Sequence, residues 1–262
     1  MNELARVWER VSGSQPLPPA WVVGLTGLAA LIVVLNTGSW RLAGKVITIA
    51  HEGGHALVSL LSGRKLDGIR LHSDSSGVTY SRGRPTGPGL VLTAAAGYVM
   101  PSLLGAGAAA LLAERHLTAM LWLALVLLAA TFLAVRNVFG AVAVLATAAA
   151  VFAVSSYAPA AVQAGFAYLA AWFLLFGGVR PVIELARGET RRWSVARRPR
   201  GPGTPAARGS RVSRGRGRSS DADQLARMTG VPAGLWVALF ALVTLAALAV
   251  GASLLIPSGW HL

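Results

Sequence analysis

Cysteine is absent from the 262 residues. That excludes disulfides and thiolate metal ligands, so any bound metal must be held by imidazole, carboxylate, amide or water. Charge is also scarce. Charged side chains make up 13% of the chain, where a soluble domain carries about 25%. Hydrophobic residues reach 54% and the mean hydropathy is +0.58. They fall in long blocks instead of alternating or amphipathic patterns. Several blocks reach the roughly 20 residues needed to cross about 30 Å of hydrocarbon. The composition is that of a polytopic membrane protein.

Acidic residues are scarcer still: 10 stand against 24 basic ones, for a net charge of +14. Twelve of the 24 basic residues lie between Arg180 and Arg218. Such a run is either a nucleic-acid arm or a cytoplasmic loop that obeys the positive-inside rule and touches anionic lipid. Long apolar spans on both sides favour the loop. Anionic lipid headgroups are therefore its expected partner, and nucleic acid is not. No short h-region with a small-residue cleavage site precedes the first long span, so that span is expected to be retained.

Read along the chain, residues 1–19 form a mostly polar lead with Arg6 and Arg10, closed by Pro16, Pro18 and Pro19. Spans are expected at about 20–36, 40–62, 89–113, 117–135, 138–154, 160–179 and 232–256. Between the second and third, residues 64–88 are polar and rich in Gly and Ser. The β-type pieces Gly68-Ile69-Arg70-Leu71-His72 and Gly77-Val78-Thr79-Tyr80-Ser81 flank a turn-prone Ser73-Asp74-Ser75-Ser76, which predicts a hairpin at the membrane face. The expected fold is an all-α polytopic membrane protein of about seven transmembrane helices with a small β-hairpin insertion after the second. Four regions follow: the lead 1–19, a six-helix membrane core 20–179, a basic disordered linker 180–220, and a short helix plus last span over 221–262. With the Arg-rich linker in the cytoplasm, counting spans back puts the hairpin, Arg136 and the N-terminus on that side and leaves Arg41, Lys45 and Arg115 opposite.

The chemistry is concentrated in His51-Glu52-Gly53-Gly54-His55, inside the second span. Two His four residues apart share one helix face and can bind a single zinc ion, while Glu52 can reach water at that ion and act as general base. Chance gives this pattern about twice in a thousand chains of this composition. Ionisable groups inside a membrane helix cost about 2.5–3.5 kcal/mol each on insertion scales and mark function by default. Gly53 and Gly54 suit a crowded site. Pro101 is expected to bend the third span. His72, His116 and His261 lack a spaced partner and read as loop residues, and Trp21, Trp40, Trp236 and Trp260 near span ends read as an aromatic belt.

The sequence resembles the site-2 protease family of intramembrane zinc metallopeptidases, in its bacterial M50B-like branch. The residues that carry the resemblance are Ala50-His51-Glu52-Gly53-Gly54-His55-Ala56-Leu57, Leu61-Ser62-Gly63, Ser76-Gly77-Val78-Thr79 and Ala95-Ala96-Gly97-Tyr98. The resemblance implies cleavage of membrane-anchored protein substrates near the cytoplasmic face, with His51 and His55 as zinc ligands and Glu52 as base. It also implies a third ligand from an Asp in a Leu-Asp-Gly segment on a later helix, and here the chain departs from the pattern: Leu66-Asp67-Gly68 lies in the hairpin and no such segment follows in a later span. Asp221 is favoured for that role over Asp223, Glu184 and Asp67, the competing expectation for Asp221 and Asp223 being first-turn acids of a short helix. Asn137 is expected to line the site as the family's Asn does. Because backbone amides in a helix are hidden from attack, a substrate is expected to unwind and pair with the hairpin. The alternative reading is a non-proteolytic membrane zinc-binding regulator derived from a protease; a zinc transporter would need ionisable residues on several spans, which the other spans lack.

Overall fold

The computed structural model describes residues 13–196 and 220–256. The first twelve residues of the lead, the Arg-rich stretch 197–219 with its expected lipid contacts, and Trp260 and His261 lie outside the described residues. The elements are α1 (Ala20–Leu35), α2 (Thr37–Leu61), β1 (Lys65–Leu71), β2 (Gly77–Arg82), α3 (Pro88–Ala113), α4 (Leu117–Ala134), α5 (Val138–Tyr157), α6 (Ala160–Ala196), α7 (Asp221–Thr229) and α8 (Ala233–Leu255).

Five helices, α3, α4, α5, α6 and α8, are each long and apolar enough to cross a membrane, as expected of a multi-pass membrane protein. The other two expected spans are not independent. α1 and α2 meet at a 101° bend and pass the same test only as a pair, which gives five or six spans among the described residues instead of seven. The reason is local. The 16 residues of α1 rise only about 24 Å, and α2 carries Arg41, Lys45, His51, Glu52 and His55. The corner is set by Asn36, whose extended backbone ends α1 while its side chain accepts from the Gly38 and Ser39 amides and opens α2.

Contacts place the two ends of this bent pair at opposite faces of the bundle. The Gln15 amide donates to the Arg115 carbonyl at the turn between α3 and α4, and the Thr118 amide donates to the Gln15 side chain. α1 then runs beside α6, with Gly27 against the Trp172 indole and the Val34 carbonyl accepting from Arg180. At its far end α2 delivers Ser62 to Gly89, at the start of α3 on the hairpin side. Residues 13–19 therefore share a face with Arg115, opposite the hairpin. Lys45 also moves: its ammonium donates to the Ser73 carbonyl in the hairpin turn.

Three apolar clusters hold the fold. The largest joins α1, α3, α4, α6 and α8 through Val23, Leu112, Leu121, Trp172, Leu175 and Leu255, towards the Arg115 face. Small residues let α3 and α6 cross closely: a Cβ at Gly105 would stand 2.8 Å from the Leu175 amide nitrogen, and one at Gly178 would stand 2.8 Å from that of Ser102. The second cluster seats the hairpin, with Ile69 and Leu71 against Ile49, Ala56, Ala134 and Val144. In the third, Ala222 and Leu225 of α7 pack on Ala94, Val182, Val237 and Phe240. That packing accounts for α6 running on past 179, through residues whose composition suggested the start of the linker, since Val182, Leu185 and Ala186 form part of the seat for α7; the helix ends at Ala196.

The hairpin is antiparallel, with Gly68 opposite Tyr80, Ile69 opposite Thr79 and Leu71 opposite Gly77, and a bulge between Leu66 and Gly68. On its other edge β1 is covered by the α4–α5 turn: Ile69 bridges Val135 in parallel, and the Arg136 amide donates to the Ile69 carbonyl at 2.9 Å.

The absence of cysteine makes the topology testable by single-cysteine labelling. Ser14→Cys and Glu114→Cys are expected to react with an impermeant maleimide from one side of the membrane, and Ser73→Cys from the other. Labelling of Ser14→Cys and Ser73→Cys from the same side would restore the seven-span count.

Candidate metal centre

α2 places His51 and His55 one turn apart on the face that meets α3 and α7. Nδ1 of His55 lies 2.6 Å from the Thr93 carbonyl oxygen. A carbonyl only accepts, so Nδ1 carries the proton and Nε2 presents a lone pair. Nε2 of His51 is 3.2 Å from that Nε2, and Oδ2 of Asp221 is 3.2 Å from each of the two nitrogens. These are the atoms by which the three residues could hold one metal ion.

The spacing fits zinc. Tetrahedral ligation by N and O at about 2.0–2.1 Å sets neighbouring ligand atoms about 3.3–3.4 Å apart and leaves a fourth vertex for water or substrate. Donor chemistry agrees: Oδ2 of Asp221 is buried and receives no hydrogen bond, although two imidazole nitrogens stand beside it.

Space for the ion comes from α3. A Cβ at Gly97 would lie 2.6 Å from His51 Nε2 and 2.6 Å from His55 Cε1. At the next residue, the Tyr98 ring meets His51 edge-on at 4.9 Å and stacks on Phe240 at 5.3 Å, so α8 buttresses the imidazole through it. Gly54 permits the crossing itself, since a Cβ there would sit 2.5 Å from that of Met100; Gly53 faces no such crowding, its nearest neighbour being Thr131 at 3.6 Å.

Glu52 is 4% exposed and sits under β2. The Thr79 hydroxyl donates to its Oε2 at 2.7 Å, and a Cβ at Gly77 would come 2.5 Å from its Oε1. One carboxylate oxygen thus accepts from Thr79, and the other lies against Gly77.

The acids weighed for the third position separate cleanly. Ser220 and Asp223 form a reciprocal capping box, with the Ser220 amide donating to Asp223 and the Asp223 amide donating to Ser220. That cap frees Asp221, one residue into α7, to face the imidazoles. Glu184 pairs with Arg180 at 3.0 Å, and Asp67 takes two bonds from Arg82 at 2.8 Å. Asn137 does not line the centre. It clamps β1 instead, accepting from the Leu71 amide at 3.1 Å and donating to the Leu71 carbonyl at 2.7 Å. Thr93, which orients His55, had no signal in the sequence; Thr79 and Gly97 stood out only through the family resemblance.

Against known protein families, residues 24–251 match the model described as Peptidase M50B-like. The chain belongs to this family, and so to the site-2 proteases. No curated protein and no solved structure matches it. Membership points to a metalloprotease, and the His51–His55–Asp221 group of this M50B-like chain is compatible with zinc.

Two substitutions test the centre without touching an imidazole. Gly97→Ala is expected to abolish stoichiometric zinc in the purified protein, whereas Gly107→Ala, whose Cβ would meet nothing within 4 Å, keeps it. Asp221→Ala should weaken zinc binding at least about 10–100-fold, and Asp223→Ala should not; metal analysis and competition with a chelator read both. Equal zinc in Gly97→Ala and Gly107→Ala would refute the geometry.

Proposed function

We propose that the protein is an intramembrane zinc endopeptidase that hydrolyses membrane-anchored protein substrates near the face carrying the hairpin. The observation that carries the reading is the mutual 3.2 Å approach of His51, His55 and Asp221, with Glu52 buried beside them. A zinc ion held by these three residues would polarise the scissile carbonyl and bring the pKa of water at the open vertex towards about 7.

The rest is done by side chains of this chain. Glu52, held through Oε2 by Thr79, takes a proton from the attacking water with its other oxygen and returns it to the leaving amine. One water is consumed, the C–N bond breaks, and a carboxyl and an amine result. Low exposure of Glu52 keeps bulk water from competing for that proton.

β2 supplies the place for an unwound substrate. The His72 amide donates to the Ser76 carbonyl, and in an antiparallel ladder bonded and non-bonded pairs alternate. The backbone groups of Gly77, Thr79 and Ser81 therefore face away from β1. Because β1 is already covered by Asn137 and Arg136, the open edge of the sheet is that of β2, directly over Glu52. An extended segment added there gains backbone hydrogen bonds while its carbonyl carbon is presented to the centre.

The charge pattern supports a cytoplasmic position for this face. Arg64, Lys65, Arg70, Arg82, Arg84 and Arg136 lie on the hairpin side, while Arg115 alone, among the described residues, lies opposite.

Glu52→Gln is expected to lower cleavage of a membrane-anchored reporter about 10²–10⁴-fold while zinc content stays near that of the parent. Retained cleavage would remove Glu52 from the mechanism. A parent protein that binds zinc stoichiometrically yet cuts no anchored substrate would favour a regulator over a protease.

A further inference from the structure

The outer face of the hairpin carries a second charged feature, separate from the metal centre. Asp67, Gly68, Arg70, Tyr80 and Arg136 line an open cleft of about 430 Å³. Its charges are arranged unequally. Asp67 is neutralised by Arg82, through two 2.8 Å bonds from Nε and a 2.7 Å contact from Nη2. Arg136 pairs with no acid among the described residues; its Nη1 donates to the Leu133 carbonyl at 2.7 Å, which fixes the guanidinium at the end of α4, and its stem lies over Gly68, where a Cβ would clash. Arg70 is exposed and pairs with no acid among the described residues. Tyr80 is half exposed and offers a hydroxyl and a ring. With Asp67 taken up by Arg82, Arg70 and Arg136 are two cations in one cleft without an acid partner among the described residues; they form an anion site, and planar guanidinium groups match phosphate oxygens in bidentate fashion.

Depth identifies the source of the anion. Arg136 lies between α4 and α5, two helices that can each cross a membrane, at the turn where both leave the hydrocarbon. The cleft is thus at headgroup level, where Tyr and Arg side chains gather on the side that carries the basic residues.

We propose that this cleft binds a phosphate ester, namely the headgroup of an anionic phospholipid, with Arg70 and Arg136 as its counter-ions and Tyr80 as a further donor. Bound there, the lipid ties both β1 and the α4–α5 turn to the membrane surface and so sets the height of the hairpin over Glu52. The site does not depend on the proposed proteolysis, and its test reads binding alone.

The experiment uses the full chain in detergent and three soluble probes: dihexanoyl phosphatidic acid, dihexanoyl phosphatidylcholine and inorganic phosphate. Binding is followed by native mass spectrometry and by intrinsic fluorescence. The anionic lipid is expected to bind at least about 10-fold more tightly than the zwitterionic one, consistent with loss of a charge-assisted pair worth one decade. Arg70→Ala should weaken it at least about 5-fold, and Tyr80→Phe less, while Lys65→Ala, on the same strand outside the cleft, should leave it unchanged. Because Arg136 also caps α4, Arg136→Lys is the second variant: it keeps the charge but loses the bidentate fork, and should weaken binding with an unchanged thermal midpoint. Phosphate binding as tight as the lipid would overturn the membrane source. Equal binding of the two lipids, or equal losses in Arg70→Ala and Lys65→Ala, would overturn the site.

Discussion

Two imidazole nitrogens and a carboxylate oxygen that share a space 3.2 Å across inside a poorly solvated protein need a positive charge among them, a metal ion or a proton. Much of the architecture around this point serves to hold that arrangement. Thr93 fixes the tautomer of His55, Tyr98 and Phe240 wall in His51, and Gly97 leaves out the one carbon that would fill the gap. The Ser220–Asp223 box starts α7 so that the free acid is the one aimed at the centre. Each of these residues is on a different element from the imidazoles, so the site exists only when α2, α3, α7 and α8 are packed together.

The packing follows from the same constraint. In lipid there is no hydrophobic drive between helices, and close approach depends on small residues. Gly54, Gly105 and Gly178 bring α2 and α6 against α3 where bulkier side chains would hold them apart. α7 is too short and polar to cross a membrane, but it buries Ala222 and Leu225 in a seat made by α3, α6 and α8. The third candidate donor, Asp221, thus sits on a soluble-type helix docked on the bundle, and not on a spanning helix as the family's Leu-Asp-Gly pattern would have it.

The hairpin joins the two ends of the problem. Its inner face covers Glu52 through Gly77 and Thr79, its β1 edge is closed by the α4–α5 turn, and its β2 edge is open. A sheet with one edge closed and one edge over a buried carboxylate has a built-in direction for an incoming strand. Its outer face carries the cleft lined by Arg70 and Arg136.

What the sequence determined by itself was what depends on short-range pattern: the membrane class, the positions of most spans, the hairpin, and the His51–Glu52–His55 face. Periodicity and composition report these because each is a property of a dozen or so neighbouring residues. The tertiary structure decided what depends on contacts between distant segments. That α1 and α2 meet at a sharp corner rested on Asn36, and the face that residues 13–19 reach rested on Gln15 meeting Arg115, some hundred positions apart. Which acid approaches the imidazoles rested on which of two neighbouring aspartates caps its helix. Asn137 could be placed near the centre by likeness, but only the fold showed it spending both ends of its amide on Leu71. Spacing along a chain fixes which side chains share a helix face; it cannot say what that face will meet.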